Sequence, residues 1–193
     1  TARIDQHRIF IARSNVNLSE LVDTIVSDLQ IKAQERGNVM QVIHEQQIPK
    51  LNIDQSKIGE VITNLLVNAN KFTEKGTILV RVQMTTEAVV VSVADSGIGI
   101  GEEHKKHIFT KFYQAGRFDP EHPQEQQGTG LGLYISKNII ELHGGQMWFD
   151  SIYGKGSIFC FSLPLAQNSV PAAPAQPVQQ VATAQATEQP VKA

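Results

Sequence analysis

Apolar positions recur along this chain with two periods, and the switches between them outline its elements. Leu18, Leu21, Val22, Ile25, Val26 and Leu29 fall at helical spacing, which places them on one face of a helix. Asn17, with Glu20 three residues on, is a capping pair for its start, and Gly37 marks its end. Asp54 opens a second helix, whose Ile58, Val61, Ile62, Leu65, Leu66 and Ala69 form a continuous stripe. LGLYISKNIIELH at 131–143 is a third, stopped by Gly144 and Gly145. Between them, β-branched runs predict strands at VMQVIHE (39–45), TILVRVQM (77–84), AVVVSVAD (88–95), QMWFDSI (146–152) and SIFCFSLPL (157–165). The turns TTE and YGKG make two of the connections antiparallel hairpins. Together these elements predict an α+β fold: a two-layer α/β sandwich whose mixed, mostly antiparallel sheet is covered on one face by about three helices.

The flanks read differently. From Gln167 onward the sequence is mostly Ala, Pro, Gln, Val and Thr, with no aromatic residue and only Glu188 and Lys192 charged. Such a stretch buries too little area to offset its ordering entropy, so 167–193 reads as a disordered tail or linker. Residues 1–16 show partial helical periodicity without an initiating Met and read as the end of a preceding helix or a linker. The globular domain is expected over 17–166.

Charge and composition narrow the function. Of 193 residues, 17 are Lys or Arg and 19 Asp or Glu, for a net charge of -2, and the basic residues are scattered. No basic surface is available to track a phosphate backbone, which argues against nucleic acid as a partner. Cys160 is the sole cysteine, so no intrachain disulfide forms, in keeping with a reducing compartment. Apolar runs such as AVVV at 88–91 fall far short of the roughly 20 residues that cross a bilayer, so this segment is expected to make no direct membrane contact.

Three motifs carry candidate chemistry. On the second helix, projection at 100° per residue groups Asn64, Asn68 and Lys71 roughly 130° from the centre of the apolar stripe. Two amides and an ammonium offer oxygens to a hard cation and donors to phosphate oxygens; alone, the same face is a solvated helix surface. DSGIGI (95–100) follows a strand, so Asp95 is placed to accept from a ligand amine while Gly97 and Gly99 allow close backbone approach. A tight turn capped by Asp fits that stretch equally. QGTGLGLYI (127–135) runs Gly128, Gly130 and Gly132 into a helix N-terminus, an anion cradle or a hinge; it lacks the GK[ST] of a P-loop and the spacing of a dinucleotide fingerprint. Between these, Phe109 and Phe112 anchor a polar, Pro-containing stretch that reads as a mobile lid over about 113–127.

Taken in order, NLLVNANKFT, DSGIGI, IFTKFYQ, GTGLGL and GKGSIFCFSLPL resemble the N, G1, F, G2 and G3 boxes of the catalytic ATP-binding domain of two-component sensor histidine kinases, of the GHKL or Bergerat fold. The resemblance covers about residues 17–165. It implies that Asn68 coordinates Mg2+, that Asn64 and Lys71 meet the phosphates of ATP, and that Asp95 accepts from the adenine amino group, rejecting guanine's carbonyl. It further implies that Phe72, Gly97, Gly99 and Ile100 line the nucleotide pocket and that Gly128, Thr129, Gly130, Leu131, Gly132 and Leu133 hold phosphates through backbone N–H groups. Ser157 matches the G3 hydroxyl that assists adenine recognition. Gln114 stands where many members have Arg, leaving Lys111 or Arg117 as γ-phosphate contacts, and Asn70 replaces a commoner apolar residue.

In other branches of that superfamily the position of Asn64 is commonly Glu, a general base. An amide accepts no proton at neutral pH, so the resemblance implies phosphotransfer to an external nucleophile rather than activation of water. None of the six histidines has the context of a phosphoacceptor; HEQQIP at 44–49 sits in an expected strand. The acceptor is therefore expected on a separate dimerisation domain, with a response regulator as the next partner and a cytoplasmic location. A GHKL ATPase that drives conformational change, and a nucleotide-sensing module without catalysis, are the alternatives.

Overall fold

The chain enters its first helix through the predicted polar cap. In the structure, a computed structural model describing residues 9–114 and 129–165, strand β1 (Ser14–Val16) leads to Asn17, whose side chain accepts the Glu20 N–H at 3.4 Å as α1 (Leu18–Glu35) begins. Gly37, at φ 72°, takes the left-handed backbone that ends the helix. Then follow β2 (Val39–His44), β3 (Leu51–Ile53), α2 (Gln55–Phe72), β4 (Thr77–Met84), β5 (Ala88–Asp95), α3 (Glu102–Lys105), α4 (Gly132–Leu142), β6 (Met147–Ile152) and β7 (Gly156–Pro164).

The main sheet has five strands in the order β2-β4-β5-β7-β6. β2 runs parallel to β4 and every other pair is antiparallel, which gives the expected mixed sheet. Alternation sorts its side chains cleanly: Ile78, Val80, Val82, Val89, Val91, Val93, Phe161 and Leu163 are buried beneath α1, α2 and α4. The opposite face carries Arg81, Ser92 and Asp150 among part-exposed apolar residues such as Ile43 and Trp148. α2 buries the six predicted residues, Ile58, Val61, Ile62, Leu65, Leu66 and Ala69. Each large apolar side chain so buried contributes about 1.5–3 kcal/mol, whereas an Asn in place of Ala in a helix costs only about 0.7 kcal/mol. The stripe therefore holds α2 in place whatever its polar face carries.

Three features differ from expectation. Residues 14–16, assigned to a linker or helix end, form β1 and pair antiparallel with β3, making a second, two-stranded sheet. Neither three-residue strand is long enough to show a period in sequence. Between DSGIGI and Phe109, where no element was expected, lies the one-turn helix α3. Asn70, the polar residue where an apolar one is common, has a structural reason: its Oδ1 accepts from buried Asn38 Nδ2 at 2.8 Å, and Asn38 also bonds Thr73 O and the Gly76 N–H. This amide cluster ties the end of α2 to the start of β2.

Residues 1–8, 115–128 and 166–193 lie outside the described residues, and with them the tail, Arg117, Gly128 and nearly all of the lid segment.

Candidate nucleotide site

α4 packs antiparallel against α2, and the two helices present opposite termini to each other. His143, just past the end of α4, meets Asp54 at the start of α2, while Ser136, in the second turn of α4, meets Asn64. The far end of this helix pair, near the C-terminus of α2 and the N-terminus of α4, is where most of the predicted site residues converge.

Asn64 is braced. Its Nδ2 donates to Ser136 Oγ at 3.0 Å, and its side chain lies where a Cβ on Gly132 would stand. A side chain at 132 would have to displace the Asn64 amide. One turn further along, half-buried Asn68 lies on the same helix, and Lys71 Nζ sits 4.7 Å over the Phe72 ring. The start of α4 differs from the other two long helices. α1 and α2 have side-chain caps from Asn17 and Asp54, but the N-cap of α4 is Leu131, with no side-chain cap bond among the described residues. Its first N–H groups and their partial positive charge are left for another acceptor. Thr129 Oγ1 accepts the Leu131 N–H at 3.4 Å, Gly130 adopts φ 67°, and Leu133 packs on the core.

The Asp-Gly turn closes the site from the sheet side. Asp95, the last residue of β5, accepts the Gly97 N–H at 2.9 Å. Burial raises its carboxyl above the ordinary carboxylate range, opposed by N–H bonds from Gly97 and Ser157. The glycines serve the protein's own packing. A Cβ on Gly97 would strike Phe72 O, and one on Gly99, at φ 70°, would strike Ile152 O. The turn is bonded on both sides, by Ile98 N–H to Phe72 O at 3.2 Å and by Ile100 N–H to Ser151 Oγ at 2.8 Å. Ser157 stands opposite Asp95 in the β5–β7 register. Ser151, opposite Ser157 on β6, has no signal in the sequence beyond its place in an alternating run; only strand pairing brings it to the pocket.

Of the two phenylalanines expected to anchor the approach to the lid, Phe109 does so with its ring. Phe109 packs edge-on to Phe149 at 5.8 Å, and Phe149 stacks on Phe159. Phe112, expected as a second anchor, is 63% exposed and holds a left-handed φ of 61°. Its backbone does the anchoring instead, donating to Gly130 O at 2.9 Å, which joins the segment before the lid to the glycine run after it. Lys111 Nζ lies 4.9 Å over Tyr134 of α4, on the lid side of the helix. His44, in β2 as expected, pairs with Asp23 at 2.8 Å and has no helical presentation.

The comparisons with known proteins agree with this fold. Residues 53–167, more than half of the chain, match the family described as histidine kinase-, DNA gyrase B-, and HSP90-like ATPase. The chain belongs to that family of ATP-binding domains. Within it the likeness is to sensor kinases. The adaptive-response sensory kinase SasA of Synechococcus sp. (strain JA-3-3Ab) is 34% identical over 86% of this chain, which spans 43% of that relative's length. Among solved structures, the nucleotide-free catalytic domain of histidine kinase ThkA superposes with a TM-score of 0.68 at 29% identity, covering 79% of this chain and 97% of that one. Full-length ShkA in complex with AMPPNP gives a TM-score of 0.71 at 26% identity, covering 81% of this chain and 32% of that one. The fold is that of a histidine kinase catalytic domain, the GHKL sandwich. No helix among the described residues is long and apolar enough to cross a membrane.

Proposed function

We propose that this chain is the catalytic unit of a two-component sensor histidine kinase, passing the γ-phosphate of ATP to a histidine on a separate dimerisation domain, from which a response regulator takes it. The observation that carries this reading is the environment of Asn64. One turn before Asn68, where a hydrolytic relative would carry a carboxylate, stands an amide locked between Ser136 and Gly132. The next carboxylate back on α2, Glu60, is exposed and engaged by Lys57 Nζ at 3.0 Å. Among the described residues of α2 no carboxylate is placed to activate water, which supports a site that holds a triphosphate for transfer.

Placement supports the following roles. Asp95 and Ser157 receive the adenine edge, with Phe72 and Ile100 beside it. The N–H groups of Gly130, Gly132 and Leu133 bind phosphate oxygens, assisted by Asn64 and Lys71, with Lys111 available at the lid side. Asn68 offers an amide oxygen to Mg2+. The ion, when bound with the nucleotide, neutralises triphosphate charge; an amide oxygen suits a hard cation that keeps most of its ligands from phosphate and water. The general base, if one acts, comes with the acceptor domain. We place the reaction in the cytoplasm, with neither nucleic acid nor lipid as partner of this segment.

The test combines this chain, γ-labelled ATP with Mg2+, and the dimerisation domain of its parent. Acid-labile, alkali-stable label on that domain is expected, and Asn68→Ala should abolish it. Label on Ser or Thr would refute the reading. Steady hydrolysis by the isolated chain, lost on Asn64→Ala, would instead make it an ATPase, and a folded chain without affinity for Mg-ATP would make it a non-catalytic module.

A further inference from the structure

At the pocket end of the sheet, Ile78, Asp95, Ser157 and Ser151 form one row of directly opposed residues across β4, β5, β7 and β6. Opposed residues project to the same face, and buried Ile78 marks it as the face beneath the helices. Ser151, 3% exposed, ends the row. Its hydroxyl has three neighbours: it receives the Ile100 N–H at 2.8 Å, donates to Gly156 O at 2.9 Å, and lies 3.0 Å from Ser157 Oγ.

A hydroxyl has one hydrogen and two lone pairs. The Gly156 carbonyl only accepts, so it takes the Ser151 hydrogen. The Ile100 amide only donates, so it takes one lone pair. What remains on Ser151 is a lone pair, and it faces Ser157. The hydrogen on the Ser151–Ser157 contact must therefore come from Ser157. With its own hydrogen turned away, Ser157 has only acceptor capacity left for the pocket, beside the acceptor Asp95.

We propose that Ser151 is a positioning residue for base selection: by fixing the Ser157 hydroxyl it makes this edge of the pocket an acceptor-only surface, which takes a purine bearing an exocyclic amine and refuses one bearing a carbonyl there. This rests on the reading of the site as an ATP pocket. A serine hydroxyl free to rotate donates to a carbonyl as readily as it accepts from an amine, so Ser157 alone would not discriminate. Ser151 touches no base itself; it acts through Ser157 and through the Ile100 turn.

Titration calorimetry of the full chain with Mg-ATP and with Mg-ITP, whose base carries a carbonyl in place of the amine, separates this role from mere support of the turn. In Ser151→Ala the ATP-to-ITP affinity ratio should fall on the order of tenfold, the scale of one hydrogen bond changed from opposed to satisfied. Ser151→Thr keeps the hydroxyl and should keep the ratio. Ser157→Ala leaves the Ile100 and Gly156 bonds intact and should lose the ratio to the same degree, with the double variant no worse. Parallel weakening of both nucleotides in a folded Ser151→Ala, or an unchanged ratio in Ser157→Ala should the first variant not fold, overturns the proposal. A wild-type chain that binds neither nucleotide overturns the pocket reading beneath it, a distinct result.

Discussion

Two aspartates stand at the ends of secondary-structure elements in this domain, at opposite ends of the same helix pair, and their environments differ in sense. Asp54 caps α2. It accepts the Lys57 N–H at 3.0 Å and the Ala12 N–H at 2.7 Å, and its backbone N–H donates to His143 Nε2. The Ala12 bond first, then the one from Lys57, hold its carboxyl below the usual value. Arg13 completes the junction by donating to Leu142 O at the end of α4. Asp95 ends β5 with its carboxyl desolvated, and burial pushes it up. The first end of the molecule is satisfied internally; the second keeps a desolvated acceptor, a helix start with no side-chain cap among the described residues, and braced amides. A group that meets its partners within the fold stabilises, and a group held ready for a ligand does not.

Substitutions should split along that line. Asp95→Ala is expected to give the largest effect: Mg-ATP affinity down on the order of 100-fold, about 2.7 kcal/mol for a lost bond to a charged acceptor, with the melting temperature held within about 2 °C or raised. A fall in stability matching the fall in affinity would erase the contrast. Asp54→Ala should do the reverse. Losing the cap and the Ala12 tie should cost about 2 kcal/mol in denaturant unfolding, while affinity by calorimetry stays within about threefold.

Gly132→Ala probes the junction of the two regimes. In an ordinary helix this change adds up to about 1 kcal/mol of stability, but here the methyl meets the Asn64 side chain. We expect that gain to be cancelled and nucleotide affinity to drop about tenfold; a more stable variant with full affinity would show the Asn64 brace to be dispensable.

The smallest effect is with pH. His143 is buried and neutral, its Nδ1 donating to Ile139 O at 2.8 Å while Nε2 accepts from Asp54. Desolvation lowers its pKa from the ordinary 6.5. With a folded value below the unfolded one, the unfolded chain binds the extra proton first, so the stabilisation is whole above about 6.5 and is lost as pH falls below it. Asp54, also depressed, adds a second loss only in more acid solution, below its ordinary 3.8. Unfolding titrations at pH 7.5 and 5.5 should therefore show a decline that His143→Gln flattens. A decline of equal size in the variant would assign the effect elsewhere.

Much of this was legible in the residues. The stripe on α2 matches the buried residues, both helix caps are where Asn17 and Asp54 stand, and the strand runs after residue 76 match β4 to β7, because periodicity and capping are local rules that survive folding. The site motifs were legible as types: amides at one helical turn, an Asp-Gly turn, a glycine run before a helix. What they face was not. Gly97, Gly99 and Gly132 look in sequence like room for a ligand, and the fold uses each to let another part of the chain approach. Phe112 looks like an anchor, and only its backbone is one.

Sequence by itself determined which residues could be buried, where the long helices start and stop, and that two amides, Asn64 and Asn68, stand one turn apart on α2. Tertiary structure alone decided that β2 pairs parallel with β4, that residues 14–16 add a strand beside residues 51–53, and that Ser151, Ser157 and Asp95 share one row. Pairing across the chain depends on which surfaces meet, and no local period records it; a hydroxyl's direction depends on partners brought from three separate segments.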